Sequence, residues 1–180
     1  MNLANQFILS ALSLFPKPLM KRFAMRYIAG EELDDAIRVV RAINFKQMRG
    51  TMDVLGENVS TREESLAAVR ECEEVLHAIH RNHLDANLSI KLTQFGLKMD
   101  EGFCFSNAKH LLAIASGYNH FVRIDMEDSS TTNETLKLYE RLRLEGFENV
   151  GGVIQANMRR SEEDVRKLVS MKANIRLCKG

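Results

Sequence analysis

Five short apolar runs carry polar or charged residues on one alternate face: Thr51–Gly56, Leu88–Thr93, Phe121–Glu127, Gly152–Ala156 and Asn174–Gly180. Side chains two apart on a strand share a face. In the second run Ser89, Lys91 and Thr93 therefore oppose Ile90 and Leu92. In the third, Arg123, Asp125 and Glu127 oppose Val122, Ile124 and Met126, and in the fifth Arg176 and Cys178 oppose Ile175 and Leu177. Between the runs the period changes to that of amphipathic helices. One is predicted from the capping residues Ser60 and Thr61, with Glu63 or Glu64 closing a capping box, to about His83, with Leu66, Val69, Val75, Leu76 and Ile79 as its core stripe. Others are predicted from about Ser106 to Ser116, from the Asp128–Asn133 stretch to Glu145, and from Ser161 to about Met171. Gly146 is placed to stop the third. Ahead of the first strand, residues 1–47 read as helices broken at Pro16, Pro18 and Gly30, with Leu33, Ile37 and Val40 on one stripe of the last.

Strands alternating with helices predict a parallel sheet covered by those helices. Strands in such sheets are normally near-continuous apolar runs. Here Asp53, Lys91, Asp125, Gln155 and Arg176 interrupt them, which points to a ligand on the polar face rather than to a buried core on both sides. No G-x-G-x-x-G follows the first strand and no Walker A sequence is present, so dinucleotide and P-loop readings have no support. The order fits a (β/α)8 barrel, whose chemistry sits at the carboxyl ends of the strands. The expectation is an α/β chain of the TIM-barrel type, partial with about five strands. Residues 1–47 form an N-terminal helical segment and 48–180 the first part of the barrel.

Composition narrows the picture further. The 180 residues carry 25 Lys and Arg against 24 Asp and Glu, so no nucleic-acid partner is expected. Cys72, Cys104 and Cys178 are widely spaced and fit free thiols in a reducing, cytoplasmic compartment. Phe7–Phe15 is apolar but short and stopped by Pro16. It reads as a helix packing on its own domain, with Lys17, Lys21, Arg22 and Arg26 allowing a peripheral membrane contact as the second reading. His77, His80 and His83 are spaced as helix neighbours. With no Cys or carboxylate fixed beside them they read as surface histidines, and no metal is expected. Gln155 offers amide groups to a planar heteroaromatic ligand, and Arg176 a fork of donors to an anion or an electron-rich ring. Lys91 with Asp125 reads either as a structural ion pair or as chemistry at the strand ends.

Six stretches together resemble the monofunctional bacterial proline dehydrogenase family. They are Tyr27–Glu31, Thr51–Glu57, Ser89–Leu97, Val122–Ser129, Gly152–Arg160 and Ile175–Gly180, in family order. The resemblance implies an FAD-dependent (β/α)8 barrel that oxidises L-proline to Δ1-pyrroline-5-carboxylate in proline catabolism and passes electrons to a quinone. It implies a substrate side of Lys91 and Asp125, with Lys91 suited to the proline carboxylate. It also implies a flavin side of Met126, Gln155, Arg176, Cys178, Lys179 and Gly180, with Arg176 near the reactive flavin nitrogen. Asn157 stands where the family usually has tyrosine, and Cys178 where valine is common. The family continues past Lys-Gly, so the chain is expected to lack the C-terminal part of the site and to bind FAD weakly by itself. Two other readings stand beside this one. One is a Schiff-base lyase or aldolase-type barrel using Lys91 or Lys179; the other is an inactive remnant that persists through self-association.

Overall fold

The computed structural model describes residues 29–30, 32–56 and 59–180. The expected helices before Gly30, the apolar run 7–15, its basic cluster and parts of two family stretches (Tyr27, Ile28, Glu31 and Glu57) lie outside the described residues. The chain divides into two units, residues 1–39 and 40–180. In the first, Arg38 Nη2 meets Asp35 Oδ1 at 2.7 Å. Helix α1 (Leu33–Phe45) begins there and ends in the second unit.

The second unit then runs β1 (Gly50–Asp53), α2 (Arg62–Arg81), β2 (Ala86–Ile90), α3 (Glu101–Gly117), β3 (Val122–Ile124), α4 (Thr132–Leu144), β4 (Val150–Gln155), α5 (Ser161–Ser170) and β5 (Asn174–Cys178). All five strands are parallel, and their order across the sheet is their order along the chain. A doubly wound sheet reverses direction at a switch point. This one does not, which is the winding of a β/α barrel.

Local chemistry sets the helix starts. Thr61 caps α2 by accepting from the Glu64 amide at 3.1 Å, while Glu64 accepts from the amides of Ser60 and Thr61; of the candidates read from sequence, Thr61 and Glu64 form the box. Helix α3 begins at Glu101, five residues before its expected start. Asp100 supplies the cap by accepting from the Phe103 amide at 3.0 Å. Gly102 and two phenylalanines hid this first turn, because α3 buries residues on several sides and its apolar period is weak. Along α2 the expected stripe holds except at Leu66, which is 40% exposed; Ser65, Ala68 and Cys72 complete the buried face instead.

The apolar strand face is the core. Leu88, Ile90, Val122, Ile124, Val150 and Ile154 are almost wholly buried, as are Leu76 and Ile79 of α2 and Leu111 and Leu112 of α3. The opposite face is polar and partly open. Its lower layer joins Thr51 to Asn87 at 2.9 Å and extends Arg123 across β4 to the edge strand. There Arg123 donates to the carbonyls of Gly152 and Asn174, both at 3.1 Å, and to Asn174 Oδ1 at 3.0 Å. Gly151 makes this possible, since a Cβ there would stand 2.5 Å from Arg123 Nη1 and 2.6 Å from the Asn174 carbonyl oxygen.

Candidate functional site

The strand register stacks the polar face in layers. Asp53 is level with Ser89, and Ser89 with Arg123. The next inward residues are Lys91 and Asp125, beside Val153 and Arg176, which are paired to each other. The Asp125 amide still donates to the Ile90 carbonyl at 2.9 Å, so ladder geometry holds Asp125 although β3 ends at Ile124.

Two short ion pairs fill this level. Lys91 Nζ lies 2.6 Å from Asp53 Oδ2, with the lysine side chain only 14% exposed. Arg176 Nη2 reaches across β4 to Asp125 Oδ1 at 2.5 Å. Arg176 Nε is buried and without a hydrogen-bond partner among the described residues. The expected couple of Lys91 and Asp125 thus has a tight partner for each member, Asp53 for one and Arg176 for the other. Asp53 had been seen only as a polar interruption. Its alternation with Thr51 was the signal, but its partner depends on which residue of β2 it faces.

Beneath this level, burial and the neighbouring Arg176 guanidinium hold Arg123 below its ordinary arginine range, against the opposing pull of Asp125. Above it, Gln155 Nε2 donates to the carbonyls of Met126 and Glu127, each at 3.4 Å. Met126 has a buried side chain and turns its carbonyl to Gln155. Glu127 accepts from the Thr93 amide at 3.1 Å and from the Thr93 hydroxyl, tying the loop after β3 to the loop after β2. Asp128 closes a local turn ahead of α4: its carboxylate accepts from the Ser130 amide at 2.7 Å and from the Ser130 hydroxyl, which hold it below the usual carboxylate range.

Cys178 is level with Gln155 and half-buried. The chain beyond it continues the β4 ladder, with Ala156 N donating to the Cys178 carbonyl at 2.8 Å and Asn157 N to that of Lys179 at 3.0 Å. Gly180 lies against the Asn157 side chain; a Cβ there would sit 2.3 Å from Asn157 Nδ2. Lys179 is exposed. The sequence-read residues from Lys91 to Gly180 therefore fall along one rim, the carboxyl ends of β2 to β5.

The histidine triplet is elsewhere. His77 Nδ1 is 2.9 Å from the Tyr118 hydroxyl, His80 stacks on the Tyr118 ring with centroids 4.1 Å apart, and His120 meets His80 edge-on at 5.8 Å. His83 is exposed. Among the described residues no group of three or more His, Cys, Asp or Glu is placed to hold a metal ion. No described helix is long and apolar enough to cross a membrane.

An unreversed parallel sheet with a charged rim at the strand carboxyl ends places the chain in the β/α-barrel class. The family model for proline dehydrogenase matches residues 36–180, and the chain belongs to that family. It is 37% identical over 157 residues to proline dehydrogenase 1 of Bacillus subtilis subsp. natto, covering 87% of this chain and 52% of the relative. To the proline dehydrogenase of Deinococcus radiodurans it is 32% identical over 165 residues, with 89% and 53% covered. The chain thus spans about half the length of the curated relatives it matches. Among solved structures, proline utilization A from Bdellovibrio bacteriovorus, inactivated by N-propargylglycine, superposes with a TM-score of 0.75 at 22% identity. That match covers 85% of this chain and 20% of the other and supports the fold.

Proposed function

We propose that these residues form one wall of the site of an FAD-dependent enzyme that oxidises L-proline to Δ1-pyrroline-5-carboxylate in proline catabolism. The observation that carries the reading is the paired-charge rim, Lys91 with Asp53 and Asp125 with Arg176, on a chain of this family. Lys91 binds the proline carboxylate. Asp125 faces the ring nitrogen and orients the neighbouring carbon. The C–H hydrogen leaves with its electron pair as a hydride to the flavin that the site would hold, the N–H proton passes to solvent, and a C=N bond forms.

FAD, when bound, supplies the hydride acceptor. The chain has groups that fit it. Arg176 Nε is a buried donor in need of an acceptor, and a donor of this kind would stabilise the negative charge that develops on flavin reduction. Gln155, Cys178, Lys179 and Gly180, with the Met126 backbone, complete the flavin side, and Gly180 allows close backbone approach beside Asn157. Reoxidation by a membrane quinone, in a cytoplasmic protein touching the membrane through its N-terminal residues, belongs to the same reading. The Schiff-base alternative is weakened at Lys91, whose Nζ is engaged by Asp53 at 2.6 Å.

The test is anaerobic bleaching of flavin absorbance by L-proline in the protein that carries these residues. Bleaching is expected, and Lys91→Ala should weaken proline binding by about 2–5 kcal/mol, the usual cost of truncating one partner of a buried charge pair. A borohydride-trapped adduct on Lys91 without flavin would sink the proposal.

A further inference from the structure

Two arginines cross β4 in opposite directions, one layer apart. Arg123 leaves β3 and ends on β5, at the Asn174 carbonyl and Asn174 Oδ1. Arg176 leaves β5 and ends at Asp125 Oδ1, just past β3. Arg123 and Asp125 are two residues apart, as are Asn174 and Arg176, so all four share one face. Gly151, with no side chain, lies level with Arg123 and Asn174, and the short Val153 lies level with Arg176. Asp125 holds Arg176 by Nη2, while the stem of the side chain is held by the β5 backbone. Among the described residues β5 has a ladder neighbour on one side only, and Arg123 supplies its second attachment. With the stem anchored and one nitrogen bound, the planar guanidinium has the direction of its Nε set as well. A bridge needed for stability alone could be built from apolar side chains, without two like charges one layer apart on a partly buried face.

We infer that Arg123 is a positioning residue for Arg176: its grip on Asn174 fixes the advance of β5, and so the place of the guanidinium two residues on. This rests on the reading above, in which Arg176 serves the flavin side. Arg123 stands one layer below that level, with its donors spent on carbonyls of β4 and β5, so it acts through Arg176. What the grip delivers is Arg176 Nε, buried and without a hydrogen-bond partner among the described residues.

The experiment follows the Nε–H resonance of Arg176 by NMR, in the protein that carries these residues, with isotope-labelled arginine. Arg176→Lys identifies the signal by its loss, and Asp125→Asn shows where it lies once the pair is broken. Arg123→Met, which keeps an apolar stem and drops the donors, should move the signal most of the way to that second position. Arg123→Lys, which keeps the charge but has no planar fork, should move it the same way. Asn174→Ala removes one acceptor and leaves the carbonyl, so it should give a smaller move in the same direction; it decides the matter if neither Arg123 variant folds. A signal that stays in place while the urea midpoint falls would show a merely structural role and overturn the inference. A signal moved by Arg123→Met but not by Arg123→Lys would overturn it too, since charge and not grip would be the cause. In flavin-loaded protein Arg123→Lys should also lower the flavin midpoint potential, because a displaced donor stabilises the reduced ring less. An unmoved potential overturns this inference alone. Absence of bleaching by L-proline in the wild-type protein overturns the functional proposal, and the NMR comparison then still decides what places Arg176.

Discussion

The His120 ring carries one more titratable site than the chemistry above uses. Burial, and secondarily the neighbouring His80, hold its pKa below the usual histidine value, and Nε2 is buried without a partner among the described residues. Around it stand His80 and Tyr118, with Asn149 donating to its carbonyl at 3.1 Å. A histidine that is harder to protonate when folded lets the unfolded chain bind the extra proton. Stability therefore falls as pH drops through the unfolded value, near 6.5, and levels off below the folded one. His120→Gln should flatten that part of the curve, read from urea midpoints at pH 7.5 and pH 5. At this scale the sequence was only half legible. The alternation of Ser89, Lys91, Arg123, Asp125 and Arg176 marked the polar face correctly. The partner of Lys91 was not marked, because Asp53 comes within 2.6 Å only through the β1–β2 register.

Among the elements, α2 was the easiest to read, since its capping box is written in consecutive residues. Thr61→Ala should cost about 1 kcal/mol in urea unfolding, the usual worth of such a cap. Helix α3 was harder, because a helix buried on several sides gives a weak period, and its start at Glu101 lies five residues ahead of the expected one. Strand β4 shows a constraint that no local pattern reveals. Gly151 is small because Arg123 and the Asn174 carbonyl occupy the place of its side chain. Gly151→Ala must push the edge strand or eject the guanidinium, at about 1–3 kcal/mol, typical of overpacking. A double variant with Arg123→Ala should cost less than the sum of its parts if the guanidinium is what the methyl meets. An additive result would point instead to the Asn174 backbone or to the Phe121 ring, whose Cζ also stands 2.6 Å from the added Cβ.

Taken as a whole, the second unit has a sheet whose outer strands, β1 and β5, pair on one side only among the described residues. Leu177, on the outward face of β5, is 65% exposed. Unpaired edges invite association with another chain. The isolated 180-residue chain should scatter light increasingly with concentration, and Leu177→Lys should reduce that scattering. Thiol chemistry offers a second check. Burial pushes the Cys72 thiol up to about 12 and Cys104 higher still, while Cys178 is half-buried. A disulfide reagent should therefore label Cys178 first, and the other two only on unfolding. The barrel-type winding was legible from the succession of strands and helices alone, because each crossover has one favoured hand and short connections keep neighbours adjacent.

That adjacency also bears on how the molecule is made. Gly50 pairs with Ala86, Leu88 with Val122, Val122 with Val150 and Gly152 with Ile175, so among the described residues each strand pairs with the one that follows it in the chain. Each β/α unit can dock on the one before it as synthesis proceeds, from the N-terminal end onward. The two members of each ion pair are not made together: Asp53 emerges well before Lys91, and Asp125 well before Arg176. During translation the rim passes through stages in which its carboxylates are present and their cations are still to come.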